Sequence, residues 1–245
     1  MNNREEFFVG YLPKAPSGIA QLVFRVVVVL MVVAALVAVV LVLGQQRFAA
    51  SVFEFGNVRE FEGRIREWPN PTLVVGSTGK ALVAEGKHGA AALVAGIDGK
   101  QVKLRGTLIR RDGVEMIEVV AGSIQAIGQP SSVKETAEDL GTHTLAGEIV
   151  DSKCYLGVMN PGHTKPHREC ASLCIRGGIP PMFVARAADG RSVNLWLLSE
   201  TGQPVNNLVL DFVAEPVEIT GQVSRIGDQL YLNANPADYR RVQLQ

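Results

Sequence analysis

Residues 26–43 read VVVVLMVVAALVAVVLVL, eighteen positions with no charge and no strongly polar group. Backbone placed in hydrocarbon must satisfy its own polar groups, which a single segment does only as a helix. Ile19, Ala20, Leu22, Val23 and Phe24 extend the run upstream. It thereby reaches the ~20 helical residues that cross ~30 Å of hydrocarbon. Arg25 is the one interruption, and a long basic side chain near a helix end snorkels to the headgroups. The competing reading is a cleaved signal peptide with a small-residue exit at Ala49-Ala50-Ser51. Against cleavage stand the long polar lead and an apolar core longer than the usual ~7–15 residues of a signal. The segment is therefore expected to be an uncleaved anchor, with residues 1–18 cytoplasmic and residues 19–44 crossing the membrane. Arg4, Lys14 and Arg25 precede or open the span, whereas Arg47 and Arg59 follow it. That imbalance favours a cytoplasmic N-terminus. The expected location is the inner membrane, single-pass, with the bulk of the chain periplasmic.

Charge and motifs exclude several functions. Basic and acidic residues number 24 each, net charge is zero, and no basic run occurs. A nucleic-acid footprint is therefore missing. Aromatic residues make up only 6% of the chain, which suits small β units better than large enclosed ligand cavities. Ser152, Ser172 and Ser199 lie in no G-x-S-x-G elbow, and there is no P-loop, dinucleotide fingerprint or H-E-x-x-H. Catalysis is not expected.

Beyond the span the pattern changes to short alternating segments punctuated by glycine, and these recur. Phe61-x-Gly63-x-Ile65 matches Leu145-x-Gly147-x-Ile149, and Pro71-Thr-Leu-Val74 matches Pro181-Met-Phe-Val184. Val102-x-Leu104-x-Gly106-x-Leu108 matches Val217-x-Ile219-x-Gly221-x-Val223. The common order points to duplication. Asp112-Gly113 signals a hairpin turn. A strand with a central glycine followed by a tight hairpin suits a small, strongly curved barrel. The V-x-[IL]-x-G-x-[LV] strand resembles that of oligonucleotide/oligosaccharide-binding (OB) folds. The expected architecture is thus mainly β: a transmembrane helix, then two small OB-like barrels. The first spans residues 45–127 and the second 145–245, with residues 128–144 as a linker that could include a helical turn.

The offset between repeats grows from 84 (61 to 145) to 110 (71 to 181), which leaves a 26-residue insert in the second unit. Within residues 151–180 lie all three cysteines of the chain, Cys154, Cys170 and Cys174, and two of its four histidines, His163 and His167. Pro166 is suited to open a short helix, and Gly177-Gly178 to close it. His167, Cys170 and Cys174 then stand at i, i+3 and i+7, on one face. Cys154 and His163 come from the preceding loop.

These residues admit three chemistries. One is a metal site on Cys154, Cys170, Cys174 and His167, with His163 as the alternative imidazole. Such a donor set suits zinc, copper or an iron–sulfur cluster. Asp151 and Glu169 are available to orient the histidine. The second is a disulfide of Cys154 with Cys170 or Cys174, which leaves a spare thiol. The third is packing alone. Covalent haem is disfavoured because Cys174 is followed by Ile175 rather than histidine. His88 and His143 are expected at the surface.

Gly147-Glu-Ile-Val-Asp-Ser-Lys-Cys154, His167-Arg-Glu-Cys170-Ala-Ser-Leu-Cys174 and Gly177-Gly178-Ile-Pro180 together carry a resemblance. They resemble the G-x-[IV]-[IV]-D-x-x-C … H-x-x-C-A-x-x-C … G-x-P pattern of a family of small exported bacterial proteins, largely uncharacterised. The resemblance covers roughly residues 145–235. It implies a small barrel with a Cys/His site at Cys154, His167, Cys170 and Cys174, and it implies no activity. The anchor and the first barrel lie outside it.

The resulting expectation is a non-catalytic, membrane-anchored accessory protein with a Cys/His metal site. Its partner would be a membrane or periplasmic protein such as a respiratory redox complex, met partly through Phe7-Phe-Val-Gly-Tyr11-Leu-Pro13. A thiol–disulfide protein using Cys154 with Cys170 or Cys174 is the alternative. So is copper storage or delivery, with Met159 and Met182 as soft donors.

Overall fold

A computed structural model describes residues 16–44, 51–128, 135–186 and 191–242. The apolar stretch at residues 7–13, Ala49 and Ala50, and residues 129–134 of the linker lie outside the described residues. The chain forms two compact units, residues 1–47 and 48–245.

Among the described residues the first unit is one helix, α1 (Ser17–Gly44), with no buried residue. Its 28 residues reach a mean hydropathy of 3.6 over the most apolar window of 18. By length and composition it is able to cross a membrane. It is apolar on all sides, as a bilayer span requires and a surface helix of a soluble domain does not.

The second unit holds two closed five-stranded barrels. The first is built from β1 (Ser51–Phe53), β2 (Arg59–Arg66), β3 (Thr72–Val75), β4 (Thr78–Val83), a one-turn helix α2 (Ala91–Val94), β5 (Gln101–Arg111), β6 (Val114–Val119) and β7 (Gln125–Ala126). Its circuit runs β2–β3–β4–β6–β5 and back to β2, with only the β4–β6 pair parallel. The second comprises β8 (Glu138–Asp151), helix α3 (Arg168–Arg176), β9 (Pro181–Arg186), β10 (Ser192–Leu198), β11 (Pro216–Ile226), β12 (Gln229–Asn233) and β13 (Arg240–Arg241). Its circuit is β8–β9–β10–β12–β11, and again only one pair, β10–β12, is parallel. The two circuits are the same, strand for strand, and follow the OB-like order. Each of the three sequence repeats falls on a corresponding pair: β2 with β8, β3 with β9, β5 with β11.

The repeated glycines explain how so few strands close a barrel. A Cβ on Gly106 would stand 2.6 Å from the Glu118 carbonyl oxygen, and one on Gly221 would stand 2.5 Å from that of Asn233. Both glycines sit where the long strand bends across its hairpin partner, so no side chain fits between them. Asp112 and Gly113 both have positive φ and join Arg111 to Val114 in a two-residue turn. This is the mirror-image turn that matches strand twist.

The boundary of the second barrel differs from the sequence expectation. Residues 138–144 do not link the barrels; they are the first half of β8, paired with β11 from Arg225 through Thr220. Mostly polar and exposed, this half shows no apolar alternation that would mark it as a strand. Its partner strand, not its own pattern, holds it extended. No helical turn occurs among the described residues of that stretch.

Each barrel has its own core: Ile65, Leu73 and Leu104 belong to the first, Phe183, Ile219 and Leu232 to the second. A third apolar cluster is shared between them. Ala81, Val83, Ile109 and Met116 of the first barrel meet Val150, Met182, Trp196 and Tyr231 of the second, and Cys154 and Cys174 lie in the same cluster. Polar contacts tie the far end, where the buried Arg66 guanidinium donates to Tyr231 Oη at 3.0 Å and to Gln229. Gly106→Ala is expected to destabilise the full chain by about 1–3 kcal/mol, the range for overpacking a closed site. Urea unfolding in uncharged detergent, followed by far-ultraviolet circular dichroism, measures the effect. An unchanged midpoint would show that the strand crossing tolerates a methyl group.

Candidate metal centre

The insert leaves the barrel at the end of β8 and re-enters at β9. Its two ends are pinned together, because Ser152 Oγ donates to the Pro180 carbonyl at 2.7 Å. Asp151, fully buried, does the local ordering. One carboxylate oxygen accepts the Cys154 N–H at 2.8 Å, closing an Asx-type turn, and the other lies 3.0 Å from His167 Nε2. A single buried group therefore fixes both the backbone of Cys154 and the imidazole.

From Cys154 the chain makes a wide helical turn to Val158, closed by the Met159 N–H on the Cys154 carbonyl at 3.2 Å. Arg111 of the first barrel secures this turn. It donates to the Tyr155 carbonyl at 3.0 Å, and its guanidinium stacks on the Tyr155 ring at 4.0 Å. The helix expected to open at Pro166 is preceded by a tighter turn over Lys165–His167, so α3 proper starts at Arg168. His167 sits at its cap. Cys170 and Cys174, four residues apart, share a face of α3. The helix ends at Gly177 and Gly178, the latter with φ of +95°. Its last carbonyls are taken by the N–H groups of Gly177, Gly178 and Ile179 and by the Asn206 amide.

These elements bring the sulfurs of Cys154, Cys170 and Cys174 within 4.8 Å of one another. Donor atoms of Asp151, Cys154 and His167 form a second group of the same span, joined to the first through Cys154. All three cysteines are free. A four-coordinate ion with sulfur at ~2.3 Å needs its sulfurs about 3.8 Å apart, so the cluster fits one ion. The donors are well sheltered: relative exposure is 4% for Cys154, 3% for Cys174 and 5% for His167. Only Cys170 is partly open to solvent.

The thiols are not equivalent. A hydrogen bond between Cys154 and Cys174, then burial, pushes the Cys154 thiol well up from its ordinary value. The same bond, helped by the Lys87 charge, draws Cys174 down to about 7. One thiol keeps its proton so that its neighbour can be a thiolate.

Two sequence candidates stand apart. His163 joins neither group; its Nδ1 is 4.0 Å from Glu148 Oε2, and its ring meets the edge of Tyr155. In the turn before it, Gly162 packs against the Cys154 carbonyl so closely that a Cβ would stand 2.4 Å away. Burial, then nearby arginines and His167, holds the His163 pKa below its ordinary value. Glu169 is exposed and belongs to neither group. Met182 is buried in the shared cluster, whereas Met159 is largely exposed.

Two lysines escaped the sequence reading. Lys87, in the loop between β4 and α2, places Nζ 2.9 Å from Cys170 Sγ and 3.8 Å from Cys174 Sγ. Lys153 is buried beside Cys154 and donates to the carbonyls of Ala84 and Gly86 at 3.0 and 2.7 Å, and to Glu118 at 3.1 Å. Neither has a spacing signal, because the partners lie on the other barrel.

Comparison of the chain with protein-family models, curated proteins and solved structures returns no match. Asp151→Ala leaves a buried N–H and a buried imidazole unpaired and is expected to cost about 1–3 kcal/mol or more. The urea midpoint of the metal-free full chain tests this. No loss would mean that water replaces the carboxylate without penalty.

Proposed function

We propose that this chain is a membrane-tethered accessory protein, with its barrels on the periplasmic side, that holds one thiophilic metal ion. Cys154, Cys170 and Cys174 are the thiolate ligands, His167 is the fourth donor, and Asp151 orients it. The convergence of three sulfurs within 4.8 Å carries this reading. Sulfurs from a loop turn and a helix meet at one point in a water-poor core. Packing alone has no need of that arrangement. The spacing favours a single zinc or copper ion over an iron–sulfur cluster, whose thiolates are spread over separate irons.

The protein's role is binding, not turnover. The donors are buried among apolar side chains, and the Ser152 hydroxyl is spent on the Pro180 carbonyl. Lys and Arg placed before and at the start of α1 support a cytoplasmic N-terminus. A membrane or periplasmic partner, such as a respiratory redox complex, suits a site kept close to the bilayer by its anchor. A second reading, a redox couple of Cys154 and Cys174, is favoured by the closeness of those two sulfurs, within 4.8 Å.

Elemental analysis with a thiol titration of the full chain in uncharged detergent separates the two. One metal per chain, lost in Cys154→Ser and Cys170→Ser, is the expected result. Asp151→Asn is expected to weaken binding about 10–100-fold, as loss of an orienting partner does. His167→Ala should also weaken it, and His163→Ala should not. A metal-free chain with a reversible Cys154–Cys174 disulfide would overturn the metal reading in favour of the redox couple.

A further inference from the structure

The proposed centre is sheltered on every side but one. Asp151, Cys154, His167 and Cys174 are buried, while Cys170 is partly exposed. In front of that sulfur stands the loop between β4 and α2, with Lys87 and His88 both exposed. The Lys87 ammonium touches Cys170 at 2.9 Å and Cys174 at 3.8 Å. A charged group is thus in direct contact with the one ligand that is partly open to solvent.

The loop is held in that position. The Gly89 N–H donates to the Gly177 carbonyl at 3.0 Å, and the Lys87 carbonyl packs on Gly177 where a Cβ would stand only 1.9 Å away. From beneath, the buried Lys153 ammonium grips the carbonyls of Ala84 and Gly86. Lys153 adjoins Cys154 in sequence, so the residue next to one ligand fixes the loop that covers another. An untethered surface lysine would not need these anchors.

We propose that metal enters and leaves through the Cys170 face, and that Lys87 receives it from an anionic thiolate or carboxylate complex rather than as a hydrated cation. This inference rests on the metal reading above. A fixed ammonium repels a bare dication and attracts an anionic chelate, which changes encounter rates rather than the bound geometry. On entry the Cys170 sulfur bonds to the ion as one carrier donor leaves with its electron pair. Cys174, Cys154 and His167 then displace the remaining carrier donors. No electron is transferred, and the protons lost by the thiols pass to solvent. Lys87 is a positioning residue in this step and Lys153 holds its loop.

The test uses the full chain in uncharged detergent, loaded with zinc. Stopped-flow removal by excess anionic EDTA is compared with removal by uncharged 1,10-phenanthroline, for the natural chain, Lys87→Arg, Lys87→Met and Lys87→Glu. The readout is the ratio of the two rates within each protein, so a change in zinc affinity common to both chelators cancels. We expect the ratio to fall about tenfold in Lys87→Met and further in Lys87→Glu, and to be kept in Lys87→Arg. Raising salt to ~1 M, where the Debye length is ~3 Å, should erase the differences. Equal ratios in all four proteins would overturn the proposed mouth while leaving the metal site standing. A natural chain that takes up no zinc would overturn the metal reading itself.

Discussion

The centre depends on the apolar core that the two barrels share. The insert makes no barrel strand of its own, and nine residues of α3 are too few to be stable alone in water. It is ordered because Leu156, Ile179, Cys154 and Cys174 are buried against Val83, Ile109 and Met116 of the first barrel. The same contact excludes water from the sulfurs of Cys154 and Cys174. It also makes the surrounding polar groups dependent on one another, since each buried donor or charge must find a partner within the interface. Lys153 finds Glu118 and two carbonyls, and Arg111 finds the Tyr155 carbonyl.

The likeness of the two barrels gives this arrangement its logic. Both barrels use the same circuit and bend at the same glycines, but only the second has a long excursion between its first two strands. In the first barrel that connection covers just residues 67–71, between Arg66 and Thr72. The first barrel is not thereby reduced to a spacer. Its loop between β4 and α2 supplies Lys87, and its strand β5 supplies Arg111. One copy carries the ligands while the other covers and braces them.

Much of this is legible in the sequence because it is local. Eighteen apolar residues specify a helix able to cross a membrane without tertiary help. Strand repeats with a glycine at a fixed place specify a curved barrel, and scarce cysteines gathered in one insert specify a site. Helical spacing alone puts Cys170 and Cys174 on one face. What sequence leaves hidden is long-range. The polar first half of β8 looks like a linker because its extended form is imposed by β11. His163 stays an alternative to His167 in the sequence, and only the folded chain places it beside Glu148 instead. Lys87 precedes Cys154 by 67 positions on another barrel, and no periodicity spans that distance (87 to 154).

Charge balance ties the site's two states together within the proposed reading. Without metal, the proton stays with Cys154 while its bond to Cys174 and the Lys87 ammonium draw the Cys174 thiol down to about 7. Three thiolates could not share this pocket unaided, since like charges at such spacing in a dry interior cannot all ionise. A divalent ion changes the sum without upsetting it: two positive charges admit two more thiolates, and Lys87 still offsets the remaining one. A monovalent ion bound by all three thiolates would leave an unmatched negative charge in the core. By that argument the pocket is better matched to zinc with three thiolates, or to Cu(I) with two, than to Cu(I) with three. The Asp151 carboxylate, held by the Cys154 N–H and His167, adds the same charge to every one of these states and so does not alter the comparison between ions.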